Sequence, residues 1–597
     1  MPAMPSKVRA RSRSWLPGLL ALVSIAACQH GRALEQGRVV PTPAMLAAHC
    51  EDAIGERRIE RFEFGEVTIL VAIGYDLANT ILIHGPTGNV VVDAMSSPIR
   101  ANQAKQDLLA AAPGPLLALI LTHSHIDHVG GATAWAPEGS ATPIWATAPF
   151  TEHFFGQYGV FQKAEQVRGR RQFGAGVSEA DLPCSALGAR LDFEAGGREQ
   201  GIGAGIRLPT QTFSGRTTLE LGGVTLELVE AHGETDDQLF VWLPAQKVLL
   251  AGDNIYHAFP NLYTIRGTTP RPVEAWIASL DAMRRLEPEL LIGSHTVPIV
   301  GHDPIASALR DYRDAIAWLR ASVVRAANAG RTREQIVDEV SLPKRLADQP
   351  LLHELYGQID WSVLSIYDAE LGWFDGRPEL LYPLPSAELA AREVELMGGV
   401  ESVRAAARAS DDPRFGLHLL AKLRVSGLVP EDQREALERD YAAALRAVAA
   451  GVANTNGRGY LLSSALELER GPNSIEAPQI SDEFLREIPI ELFFEAMPAR
   501  LKLDQAGGVH ETLRIDLSDL DRSVWVTLRE GVVEVAWAQA FPGTPEPIAR
   551  LTTESLTWKR IALQLDTAGQ AVLAGKLEIE GPLGRVQDFF DRFDRGI

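Results

Sequence analysis

The stretch Leu121-Thr-His-Ser-His-Ile-Asp-His-Val-Gly-Gly131 constrains this chain more than any other. It continues Leu116-Leu-Ala-Leu-Ile-Leu121, a short run that is apolar throughout, as in a parallel strand buried on both faces. His123, His125, Asp127 and His128 then fall within six residues. On a strand-end loop such side chains can converge on one point, and imidazole nitrogens with carboxylate oxygens are the donors that zinc takes in catalytic sites. A solvated loop with accidental histidines is the bland reading, and the density of histidine argues against it.

Other strand ends carry the same kind of group. His232 and Glu234 follow Thr225-Leu-Glu-Leu-Val229, Asp253 follows Lys247-Val-Leu-Leu-Ala251, and His295 follows Glu289-Leu-Leu-Ile292. Each could be no more than a polar residue making a turn. Ahead of the histidine loop, Val67–Ile73, Asn79–His84 and Asn89–Asp93 are β-branched runs separated by glycine, which predicts hairpins and puts Asp93 at a strand end. A helix is expected over Arg100–Ala111.

With 597 residues the chain is too long for one core, so three or four domains are expected. A formal charge of −20 argues against sequence-independent nucleic-acid binding, which needs a positive surface. Three cysteines, Cys28, Cys50 and Cys184, cannot form a disulfide framework. Residues 1–28 read as a targeting segment: Lys7, Arg9, Arg11 and Arg13 without an acid, an apolar run from Trp15 to Ala27, and Ile25-Ala-Ala-Cys28, similar to a bacterial lipobox with Cys28 as the lipidated residue. The expectation is an exported protein on the periplasmic side, a membrane-anchored lipoprotein or otherwise a free periplasmic protein. Cys50 and Cys184 are then an even pair in an oxidising compartment, and whether they meet stays open.

His-x-His-x-Asp-His after an apolar strand resembles the signature of the metallo-β-lactamase superfamily. The resemblance implies an α/β fold, an αββα sandwich over residues 40–305, and two zinc ions per chain. By the same resemblance the ligands are His123, His125, Asp127, His128, Glu234, Asp253 and His295, with Asp253 bridging, Asp127 also catalytic, and Asp93 supporting the loop from behind. Most of the superfamily has a histidine where this chain has Glu234; His232, two residues earlier, is the alternative.

Gly252-Asp-Asn254, Pro260-Asn-Leu-Tyr-Thr-Ile-Arg-Gly267, Gly293-Ser-His-Thr296 and Val71-Ala-Ile-Gly-Tyr-Asp-Leu-Ala-Asn79 are similar to segments of the alkyl sulfatases of that superfamily. There a glutamate replaces the usual histidine, and an arginine, here Arg266, meets the sulfate with Asn261 and Tyr367 nearby. A planar guanidinium suits a tetrahedral oxyanion because it donates two parallel hydrogen bonds. Arg170 and Arg171 resemble a segment facing the site, or form a solvated basic turn. Tyr356-Gly and Tyr367–Gly376 resemble the family's dimerisation region, so residues 306–450 are expected to form a helical domain and the chain a homodimer, with two or three amphipathic helices from Pro385 to about Ala450. Residues 455–597 resemble an α+β sterol-carrier-protein-like domain, closed by an apolar helix around Phe589, Phe590 and Phe593.

Two positions depart from the family. Asp253 stands where a glutamate is usual, and Trp361-Ser362 where a His-Asn pair is common. The reading that follows is hydrolysis of a small amphiphilic alkyl sulfate ester to alcohol and sulfate. The alternatives are a dizinc hydrolase of a lactone, phosphodiester or thioester, favoured by Trp361, and a non-enzymatic lipid-binding lipoprotein.

Overall fold

The computed structural model describes residues 34–471 and 478–594. Cys28 and the lipobox lie outside the described residues.

Two sheets meet face to face. The first has seven strands in the spatial order Arg58–Phe64, Val67–Ile73, Thr80–Gly85, Gly88–Val92, Leu116–Ile120, Ile144–Thr147 and Gln211–Phe213. The first four are antiparallel neighbours; from Gly88–Val92 onward every pairing is parallel. The second has six strands, ordered Ile299–Val300, Leu290–Ile292, Val248–Leu250, Leu239–Leu243, Val224–Glu230 and Arg216–Leu221.

Alternation along the strands explains the layering. Ile69, Val71, Ile81, Val90 and Ile120 of the first sheet interleave with Leu226, Leu228, Val241, Leu250 and Ile292 of the second. On the other face, Leu70, Leu82, Val91 and Leu119 pack under Ala104 and Leu108 of helix Pro98–Ala111 and under Phe150 and Phe154. The outer face of the second sheet, with Phe240, Trp242, Leu249 and Leu291, is covered by Trp276 and Leu280 of helix Val273–Arg284 and by Leu309, Tyr312 and Ile316 of helix His302–Asn328. Each such Leu or Ile contributes about 1.5–3 kcal/mol by leaving water. The result is an αββα sandwich whose strand ends open along one edge.

Helix Ile359–Leu371 lies on His302–Asn328. Four helices follow, not two or three: Ser386–Leu396, Val400–Ala409, Pro413–Ser426 and Glu431–Ala450, around Val394, Val403, Leu420, Leu423 and Leu437. Thr455–Arg470, expected to open the last domain, belongs instead to the helical region. It packs on Glu431–Ala450 and, across the chain, on Gln162–Gln172. Gly459 permits that second contact: a Cβ there would lie 2.5 Å from the Gln172 carbonyl oxygen.

The last unit has a five-stranded sheet, ordered Val532–Trp537, Arg522–Arg529, His510–Leu517, Pro547–Thr553 and Leu577–Glu580. Phe589 and Phe593 are core residues of it, packed with Phe494, Leu513, Val526 and Trp558. Cys50 and Cys184 are joined in a disulfide.

Candidate metal centre

The histidine loop is held by the strand end beside it. Asp93 adopts a left-handed backbone, φ 60°, just past Gly88–Val92. Its Oδ1 accepts from the Thr122 backbone N–H at 2.8 Å. Its Oδ2 accepts from Thr122 Oγ1 at 2.9 Å, Ser294 Oγ at 2.7 Å and His128 Nδ1 at 2.7 Å. Gly130 lets the loop close on this support, since a Cβ there would lie 2.0 Å from the Ser96 carbonyl oxygen.

These bonds fix tautomers. With Nδ1–H given to Asp93, His128 turns its Nε2 inward, 3.4 Å from Asp253 Oδ2 and 3.5 Å from Asp127 Oδ2. His295 gives Nδ1–H to the Leu77 carbonyl at 2.9 Å, which aims Nε2 at Asp253 Oδ2, 3.0 Å away. His123 Nδ1 sits 3.1 Å from Thr122 Oγ1, and its Nε2 faces His125 Nδ1 at 2.9 Å. The inward atoms fall into three overlapping groups, each within 4.8 Å: His123, His128 and Asp253; Asp127, His128 and His295; His125, Glu234 and Asp253.

The sequence-predicted residues are therefore brought together from four strand ends. Glu234, not His232, reaches the centre; His232 turns out to Glu230, 3.0 Å away. Every member is buried. His128 Nε2, Asp253 Oδ1 and Glu234 Oε2 have no hydrogen-bond partner.

The electrostatics are those of a cation site. Burial disfavours protonated His128, yet Asp253, Asp127 and Asp93 outweigh it and hold its pKa well above the usual histidine range. Burial alone would raise Asp127, but His128 and His295 bring it down to about 2. Burial pushes His123 down to about 3, and pushes Glu234 up to about 7 against the pull of Arg271. Buried carboxylates packed this closely are costly without compensating positive charge. Divalent cations supply it, and the oxygen and nitrogen donors fit them.

Arg266 lies beside this centre, buried. Its Nε meets Glu165 Oε1 at 3.0 Å, its Nη1 donates to Thr264 Oγ1 at 2.9 Å, and its backbone N–H donates to Gln172 Oε1 at 2.8 Å. Its charge is felt at Asp127 and His125. Both polar atoms of the Asn261 side chain are buried without a partner. Tyr367 is not brought to the site. It packs with Val363 and Ile366 in the outer helical core, and its charged neighbours are Asp375 and Arg333, because its face of helix Ile359–Leu371 turns onto His302–Asn328. Arg171 pairs with Glu467 at 2.6 Å and lies over Tyr460, so it joins the helical region. Trp361 is half-buried, with its indole against Gly457.

Sequence reasoning missed Arg271 and Glu165, and gave Tyr356 to the dimerisation region. Arg271 Nη1 is 2.5 Å from Glu234 Oε1. Tyr356 is pushed far above the usual tyrosine range, first by burial and then by Glu234. No local spacing tied any of them to the site, because each meets its partner through tertiary contact.

Comparison with known proteins agrees with this geometry. Residues 73–295 match the family model described as metallo-beta-lactamase superfamily, 332–471 that of alkyl sulfatase dimerisation, and 478–596 that of the alkyl sulfatase C-terminal domain. A linear primary-alkylsulfatase of Pseudomonas sp. is 28% identical over 531 residues, covering 86% of this chain and 98% of that protein. An (R)-specific secondary-alkylsulfatase of Pseudomonas sp. is 28% identical over 552 residues, covering 87% and 79%. The solved structure of the stereoselective inverting sec-alkylsulfatase Pisa1 from Pseudomonas sp. superposes with a TM-score of 0.80 at 25% identity, covering 94% of this chain and 92% of that one. A metallo-β-lactamase sandwich with these ligand-type residues, followed by this helical region and this terminal unit in this order, makes the chain a member of the alkyl sulfatase family of the metallo-β-lactamase superfamily.

Proposed function

We propose that this chain is a zinc-dependent sulfuric ester hydrolase that splits alkyl sulfates into alcohol and sulfate. The observation that carries the reading is the buried cluster of His123, His125, Asp127, His128, Glu234, Asp253 and His295 with the Arg266 guanidinium beside it. The alkylsulfatase activities printed for the Pseudomonas relatives support the substrate class.

Two zinc ions would fit the donor set: His123, His125 and Glu234 would hold one, and Asp127, His128 and His295 the other, with Asp253 available to both. Bound there, such ions supply Lewis acidity and lower the pKa of water to about 7. The remaining work falls to the chain. Arg266 and Asn261 orient the anionic head group, and Arg266 stays charged because no proton leaves a guanidinium at neutral pH. Asp93 keeps His128 in the tautomer that leaves Nε2 free. The buried walls keep bulk water from the reacting ester. Release of sulfate from dodecyl sulfate by purified protein, with zinc and after its removal, tests the reading. Zinc-dependent release supports it; no release from protein that retains zinc sinks it, and leaves a hydrolase of another ester, the reading that Trp361 favours.

Export as a Cys28-anchored lipoprotein is part of the proposal. It is supported by the basic and apolar residues before Cys28 and by the Cys50–Cys184 disulfide, a bond of oxidising compartments. Cys28→Ala should move the protein from the membrane to the soluble fraction; an unchanged distribution contradicts the anchor.

A further inference from the structure

Arg271 stands immediately before Pro272, at the start of helix Val273–Arg284. Its side chain is 2% exposed and that of Glu234 is 4% exposed, with Nη1 and Oε1 2.5 Å apart. Among the described residues, none of Arg271 Nε, Nη1 and Nη2 finds a hydrogen-bond acceptor of good geometry, so its contact with Glu234 Oε1 is a close ion pair, and nothing donates a hydrogen bond to Glu234 Oε2. Taking a guanidinium out of water is unfavourable unless a counter-charge compensates it, and Glu234 is the carboxylate within ion-pair reach. The pair therefore has one engaged oxygen and one open oxygen.

We infer that Arg271 is the positioning residue for Glu234: it holds Oε1, so that the carboxylate offers Oε2 alone to the cation beside it, with its charge already balanced. This rests on Glu234 being a ligand, as proposed above. A carboxylate without such a hold can turn, or offer both oxygens. A fork anchored ahead of Pro272 restricts both motions. The pair also carries no net charge, so within the cluster it counts as a neutral ligand would. Removing Arg271 adds one negative charge beside Asp253 and Asp127. Removing the carboxylate alone leaves a buried guanidinium facing the cations.

The test is zinc affinity, read by chelator competition on the purified full chain, with thermal unfolding as a check on folding. R271M should weaken one zinc ion by about 10–100-fold and leave the other unchanged, the usual scale for losing the group that orients a ligand. R271K should recover only part of that loss, since it keeps the charge without the fork. E234H should bind zinc less well than the double variant E234H/R271M, because the two sites are coupled. Wild-type affinity in R271M, with one ion lost in E234A, overturns the inference and leaves the ligand assignment standing. Both ions retained in E234A overturns the ligand assignment itself. Should R271M not fold, E234H against E234H/R271M decides: equal affinities overturn the inference.

Discussion

The two oxygens of Asp93 gather Thr122 and His128 of the histidine loop and Ser294 from a separate strand end. Asp93→Asn keeps the shape and removes the charge that holds the His128 ring. Zinc affinity should fall by about 10–100-fold, measured by chelator competition; unchanged affinity would mean that the ring is held by packing alone. At this scale the sequence was generous with ligands and silent about their partners. The histidines, Asp127, Asp253 and His295 were legible because each follows an apolar strand. Glu234 was legible only as one of two candidates, since His232 stands equally near the same strand end and only burial separates them. Arg271 and Glu165 were invisible because ion pairs formed by folding leave no local spacing.

Helix Thr455–Arg470 links the helical region to the head-group arginine. Gly459 lies against the backbone of Gln172, and Gln172 Oε1 accepts from the Arg266 N–H and from Thr264 Oγ1. Gly459→Val should displace that segment and cost about 10²-fold in kcat/KM, with zinc content unchanged, because small misplacements of an orienting group are expensive. Full activity would show that the segment yields without moving Arg266. The disulfide braces another neighbour of the site: Leu187 O, three residues past Cys184, accepts from the Thr296 N–H beside His295. The double variant Cys50→Ser/Cys184→Ser should lose about 2–4 kcal/mol of stability and unfold at lower temperature in calorimetry; an unchanged midpoint would make the bond incidental. Strands and sandwich layers were legible because alternation and apolar runs are local signals. The placement of Thr455–Arg470 was not, since its partners on Gln162–Gln172 lie far away in the chain.

At the scale of the molecule, domain order carried the family, and one of its units matches the alkyl sulfatase dimerisation model. The segment from Leu371 to Leu396 exposes apolar side chains, with Trp373 64%, Tyr382 94% and Leu396 88% exposed. Scattered surface leucines are ordinary, but this many on one stretch of a region that matches the dimerisation model suit a protein partner. Sedimentation should give twice the 64.9 kDa chain mass, and Tyr382→Glu with Leu396→Glu should shift it towards one chain; a monomeric wild type contradicts the homodimer.

The central claim is that a cation cluster and a separate anion-orienting arginine divide the work. It is tested most directly by measuring kcat/KM for dodecyl sulfate and zinc content side by side in the wild type and in Arg266→Ala. Losing hydrogen bonds from a charged donor should cost roughly 1.5–3 kcal/mol, or about 10–150-fold in rate, with zinc content unchanged. Equal turnover in both proteins, or zinc lost together with the arginine, would contradict the account.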